Sequence, residues 1–124
     1  MFDNLKGMAS AASLLKDLPK IKAQMETIKA RLEVITVEAE TGGGAVRVVA
    51  SGKLRVVSIN LDEALMAGLI GGTSPDDRTM AQDLISGAVN AALTKAREAA
   101  ETEVRRAATE LGLPIPPAAL DGLI

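Results

Sequence analysis

The chain has 124 residues, 48% of them apolar, with 14 Lys and Arg against 16 Asp and Glu and a formal net charge of −2. It contains no His, Cys, Tyr or Trp, which removes the commonest general base, the thiol nucleophile and the usual zinc ligands. The expectation is a single domain over residues 1–124 that is not an enzyme and takes no cofactor or small-molecule substrate. No run of 18 uncharged apolar residues spans a membrane, the N-terminus lacks a signal-peptide pattern, and the absence of Cys fits a cytoplasmic location.

Residues 4–33 read as one helical region, with Asp3 or Asn4 available to cap its start. Leu14, Leu18, Ile21, Met25, Ile28, Leu32 and Ile35 recur at alternating spacings of four and three, an unbroken heptad seam. Such a narrow seam suits a helix lying on another helix; packing on a sheet is the alternative. Pro19 interrupts the region, and either kinks a continuous helix or splits it in two. The seam keeps its register through Pro19, which favours the continuous helix.

Residues 34–61 read as three strands. Val37 and Ala39 alternate with Thr36, Glu38 and Glu40, and Val57, Ile59 and Leu61 alternate with Ser58 and Asn60. The connections are Gly42-Gly43-Gly44 and Ser51-Gly52. Glycine-rich loops cradle phosphates when they open a helix, but these lead from strand to strand and lack the P-loop Lys-Ser/Thr, so they predict hairpin turns. Glu38 and Glu40 share a strand face as solvated carboxylates rather than metal ligands.

Residues 62–69 predict a helical turn, and 62–75 as a whole a glycine-bearing connection. Thr73, Ser74 or Asp76 suits the cap of a last helix from about residue 75 or 76 to 110 or 111. Its apolar positions are mostly alanine at spacings of three and four, and Glu101–Arg105 and Arg106–Glu110 stand as i,i+4 pairs. Asn90 is expected to satisfy a buried backbone group. Gly112 and the prolines at 114, 116 and 117 stop the helix, leaving 112–124 as an apolar tail that is ordered only if it docks.

The fold class is therefore α+β, in the order α-β-β-β-α, with a three-stranded antiparallel meander flanked by two long helical arms (1–33 and 76–111). A helix of 35 residues is about 50 Å long, whereas a strand of eight is about 26 Å. The arms overhang the sheet, and the sheet has two open edges; an elongated homodimer follows.

The chain resembles the YbaB/EbfC family of bacterial nucleoid-associated DNA-binding proteins. The resemblance runs through Met1-Phe2-Asp3-Asn4-Leu5 and Met8, the Lys- and Glu-bearing helix 20–32, Glu33-Val34 and Thr36-Val37-Glu38. It continues in Gly42-Gly43-Gly44-Ala45-Val46-Arg47-Val48, Gly52-Lys53, Val56-Val57-Ser58-Ile59, Asp83-Leu84-Ile85, Ala88-Val89-Asn90-Ala91-Ala92 and Leu111-Gly112-Leu113-Pro114. No one of these motifs is specific; their order and spacing together are. The resemblance implies a tweezers-shaped homodimer that binds double-stranded DNA with little sequence preference, in the nucleoid, in chromosome organisation or gene-expression modulation. It places DNA contacts at Lys20, Lys22, Lys29 and Arg31 on the first arm and Lys95, Arg97, Arg105 and Arg106 on the second.

Charge segregation bears on that implication. Lys16, Lys20, Lys22, Lys29 and Arg31 against Asp17 and Glu26 give residues 16–31 a charge of +3, whereas residues 76–110 carry −2. The absence of stacking aromatics disfavours single-stranded recognition. The alternative function is a protein-interaction scaffold, with the heptad seam and arms binding another protein and no physiological role for DNA.

Overall fold

The computed structural model describes residues 2–71 and 74–112, with side chains from Leu18 onward. The order is α1 (Phe2–Val34), β1 (Thr36–Thr41), β2 (Val46–Ser51), β3 (Val56–Leu61), α2 (Glu63–Ile70) and α3 (Pro75–Leu111). The α-β-β-β-α plan holds, with residues 62–69 realised as most of a short helix.

The longest element is α3. Ser74 caps it, its Oγ accepting from the Asp77 N–H at 3.3 Å, and Pro75 at the first turn needs no N–H partner. Asp76 and Asp77 sit at the positive end of its dipole. At the far end Gly112 turns left-handed at φ 70° and closes the helix on the Ala108 and Thr109 carbonyls. Of the other two expected caps, Asp76 lies inside the first turn of α3, and Thr73, like residues 113–124 of the tail, lies outside the described residues.

Along α3 a stripe of buried alanines, Ala81, Ala88, Ala92, Ala96, Ala100 and Ala107, faces inward. The first part packs on the sheet: Ala88, Ala92 and Ala96 lie against Ala39, Val46, Val48 and Ala50. The last part packs on α1: Ala100, Val104 and Ala107 lie against Ile28 and Leu32. The heptad seam therefore meets a helix, as its spacing predicts, and α3 belongs to both halves of the core.

The sheet is antiparallel in the order β1-β2-β3. Val37, Ala39 and Thr41 pair with Ala50, Val48 and Val46 on the face under α3, and Glu38 and Glu40 stand on the opposite face. Gly42, Gly43 and Gly44 all have positive φ, the conformation a glycine-only hairpin loop needs. Thr41 fastens the same corner to α3, its Oγ1 donating to the Leu84 carbonyl at 2.6 Å.

Four local expectations are corrected. Val34 ends α1 rather than opening β1, and Asp3 and Asn4 lie inside α1 rather than before it. Val57 is the extra residue of a bulge, because Ser58 pairs with Val49 while Val56 pairs with Ala50; it therefore falls out of the alternation with Ile59. Asn90 is exposed on α3 and takes no buried partner. As to Pro19, one helix runs through it.

Because α3 lies over β1 and β2, the β3 side of the same face stays open. Val56 and Ile59 are 39% and 47% exposed there. Met66 and Ile70 of α2 and Met80 of α3 are exposed as well.

Gly52 joins arm to sheet. Its N–H donates to the Ile35 carbonyl at 3.0 Å, and a Cβ at this position would stand 2.7 Å from the Leu32 carbonyl oxygen. The left-handed residue of this turn is instead Leu54, at φ 59°. Gly52→Ala is expected to lower stability by about 1–3 kcal/mol, the usual range for forced overpacking. Gly87→Ala, whose Cβ would meet only Thr41 Cγ2 at 3.6 Å within a helix, is expected to raise it by about 0.5–1 kcal/mol. Urea denaturation of the two variants beside the parent checks both signs.

Candidate nucleic-acid interface

The arm is built by α1 crossing the C-terminal part of α3. Near the end of α3, Glu110 meets Arg31 of α1, while Lys95, about four turns earlier, meets Glu38 of β1. Met25 and Leu111 each pack against their shared cluster. From Met25 α1 continues N-terminally to Phe2, a further stretch of about 35 Å at roughly 1.5 Å per residue.

The helical period sorts the α1 cations. Lys22 and Lys29, seven residues apart, share one flank of the seam; Lys20 and Arg31, eleven apart, share the other. The structure divides the eight expected contacts by partner. Lys20 and Lys22 are exposed, and neither has an ion pair among the described residues. Lys29 Nζ lies 3.5 Å from Glu26, one turn away on the same helix. Arg31 leaves α1 altogether, its Nη1 at 3.1 Å from Glu110 Oε2 and 3.9 Å from Glu103 Oε1.

On α3, Arg106 grips Glu103 with Nε and Nη2 at 2.7–3.0 Å and approaches Glu110 at 3.8 Å. Arg31, Glu103, Arg106 and Glu110 thus form one network across the two helices. Glu103 is its inner member, with a side chain only 11% exposed. Lys95 donates from Nζ to the Glu38 carbonyl at 3.0 Å, and Arg97 pairs with Glu101 at 3.2 Å. The expected Glu101–Arg105 pair is therefore replaced by Arg97–Glu101, which leaves Arg105 exposed with no ion pair among the described residues. The Arg106–Glu110 pair is present, at 3.8 Å.

One basic pair was not singled out by periodicity. Lys53 and Arg55, in and beside the β2–β3 turn, line a shallow hollow with Glu33 and Ser51 at the base of α1. A turn has no periodic face from which their meeting with α1 could be read. Among the described residues no group of three acidic side chains is placed to hold a metal ion. Glu40 pairs across strands with Arg47 at 3.4 Å.

The network shifts its own titration. The hydrogen bond from Arg31, then its charge, and less strongly that of Arg106, hold the Glu110 carboxyl below the usual carboxylate range. The hydrogen bond and charge of Glu103 hold the Arg106 guanidinium above its ordinary value.

The YbaB/EbfC DNA-binding family model matches residues 8–111. A nucleoid-associated protein of Anaeromyxobacter dehalogenans is 37% identical over 101 residues, which is 82% of this chain and 91% of that one. One from Chlorobium phaeobacteroides is 38% identical over 101 residues, 82% and 83% of the two chains. One from Clostridium novyi is 34% identical over 113 residues, 91% and 93% of the two. The crystal structure of the uncharacterised protein HP0035 from Helicobacter pylori superposes with a TM-score of 0.52 at 19% identity, covering 68% of this chain and 90% of that one, a likeness of fold.

Glu110 gives a pH test. Its carboxyl loses its proton more readily folded than unfolded, so its contribution is complete above the ordinary Glu value of about 4.3 and is lost as pH falls through the lower folded value. Glu110→Gln is expected to melt below the parent at neutral pH, and the gap is expected to close as both are acidified below about pH 4. Circular-dichroism melts across that range read it; equal melting temperatures at pH 7 would show that the carboxylate does nothing for the arm.

Proposed function

We propose that this chain, which belongs to the YbaB/EbfC DNA-binding family, binds double-stranded DNA as a homodimer through its helical arms, with little preference for sequence. The observation that carries the reading is the state of the arm cations. Lys20, Lys22 and Arg105 are exposed and carry no ion pair among the described residues, on helices that extend past the sheet. Cations so placed serve phosphates without reading bases. Lys29, Arg31, Lys95, Arg97 and Arg106 form a second set, each already engaged with a carboxylate or carbonyl. Exposed ion pairs are individually weak, so a phosphate can replace a carboxylate at these positions.

The dimer is supported by the open side of the sheet. β3 is an edge strand with apolar residues uncovered on the α3 face, and a second copy would cover Val56, Ile59 and the exposed methionines of α2 and α3. We assign the molecule to the bacterial nucleoid, in chromosome organisation or modulation of gene expression, following the names of its relatives. We assign it no catalytic role, in keeping with a sequence that has no His or Cys.

Fluorescence anisotropy with duplex DNA across a salt series is the direct test. Binding is expected to weaken with salt, the log–log slope steepening by roughly 0.9 per neutralised phosphate. The triple variant Lys20→Glu, Lys22→Glu, Arg105→Glu is expected to flatten that slope and lower affinity while leaving the melting temperature in place. No binding at about 50 mM salt would sink the reading, since phosphate contacts are strongest there. Separately, the parent is expected to sediment as a dimer at micromolar concentration and Ile59→Asp as a monomer; a monomeric parent would refute the dimer and leave the DNA test standing.

A further inference from the structure

Among the described residues one polar side chain is buried, that of Ser51, in a residue only 7% exposed. It ends β2, next to the Gly52 that abuts the Leu32 carbonyl of α1. Its Oγ accepts from the Lys53 N–H at 3.3 Å. A hydroxyl also has a proton to donate, and among the described residues no acceptor takes it. Buried donors are ordinarily satisfied. Ser51 lines the hollow of about 180 Å³ that Glu33, Lys53 and Arg55 complete at the foot of α1.

The turn holds those groups in place before any ligand arrives. The Ser51 N–H donates to the Arg55 carbonyl at 2.8 Å, and the Gly52 N–H to the Ile35 carbonyl at 3.0 Å. Leu54 is left-handed at φ 59°, and its side chain packs against the core of the sheet. With Leu54 turned inward, its neighbours Lys53 and Arg55 both line the hollow. Two positive charges against the one negative charge of Glu33 leave the lining at +1. Glu33 and Arg55 are both exposed and form no ion pair with each other, so the hollow does not neutralise itself.

The geometry points to a phosphate subsite: we propose that this hollow takes one phosphodiester of a DNA duplex lying along the arm. The Ser51 hydroxyl and the Arg55 guanidinium donate to its oxygens, Lys53 supplies a point charge, and the Glu33 carboxylate opposes it. The inference rests on the reading of the arms as DNA-binding. Placement favours the duplex over a free phosphate. Glu33 follows Lys22 and Lys29 at spacings of seven and four, so the hollow lies at the foot of the flank that carries both lysines. It begins about 6 Å beyond Lys29 along α1 at roughly 1.5 Å per residue. A lone phosphate meets one net charge and an opposing carboxylate. A phosphodiester already held beside Lys22 and Lys29 reaches the hollow at high effective concentration. The subsite adds grip without reading a base.

Anisotropy across a salt series and amide NMR on the full chain test it. A short duplex is expected to shift the amides of residues 51–55 together with those of 20–31. Arg55→Gln is expected to weaken binding and flatten the log–log salt slope by roughly 0.9, the share of one phosphate. R78Q, which loses the same charge at the start of α3, is expected to leave the slope where it was. E33Q is expected to tighten binding, an effect that damage to the fold does not produce. If the arm amides shift while 51–55 stay still and R55Q matches R78Q, this inference falls and the reading of the arms stands. E33Q binding no tighter than the parent overturns the inference equally. No duplex binding at all overturns both. Inorganic phosphate is the second probe: shifts at 51–55 with phosphate but none with duplex would assign the hollow to a free phosphate and overturn the DNA contact.

Discussion

The fold depends on the alanine stripe of α3. With no side chain beyond Cβ at Ala88, Ala92 and Ala96, the helix backbone comes close to the sheet, and the branched residues Val46 and Val48 fill the space that remains. Three turns further on the same stripe admits Ile28 and Leu32 of α1. A single helix can serve two partners because its inward face is small throughout. A large residue at any of these alanines would push α3 off one partner or the other, at the cost of overpacking. Among the described residues the core is closed by aliphatic side chains alone.

From that spine the rest follows. α3 covers β1 and β2 and leaves β3 bare on the same face, which gives the sheet an open apolar side. It also outruns the sheet and meets α1, which in turn outruns α3. α3 covers the sheet incompletely, and its uncovered side is where a second copy is proposed. Gly52 fixes how the arm departs, because the close approach to the Leu32 carbonyl and the hydrogen bond to Ile35 leave no room for a side chain.

The electrostatics use few charges for two purposes. Arg31 and Arg106 share Glu103 and Glu110 and so tie one helix to the other. Exposed pairs contribute little stability one by one, and the network's value lies in setting the relative rotation of the two helices. The cations left over project from the same helices. An acidic total charge is thus compatible with a phosphate-binding surface, because several carboxylates are turned onto the arm's own arginines.

Most of the architecture was legible in the sequence because periodicity is a local property. The heptad seam, the alternation around Val37 and Ala39, the triple glycine, and the Ser74-Pro75 and Gly112 signals mark their elements without reference to any distant residue. The misreadings share one cause. That Val34 ends a helix, that Val57 bulges, that Asn90 faces solvent and that Glu101 turns to Arg97 all depend on what lies opposite in space. The same holds for the candidate interface: the sequence by itself determined which residues are cationic and which helix face carries them, while only the tertiary structure decided which are already held. Arg31 and Glu110 are 79 positions apart, and no pattern along a chain reports such a pair, because it exists only once α3 has crossed α1.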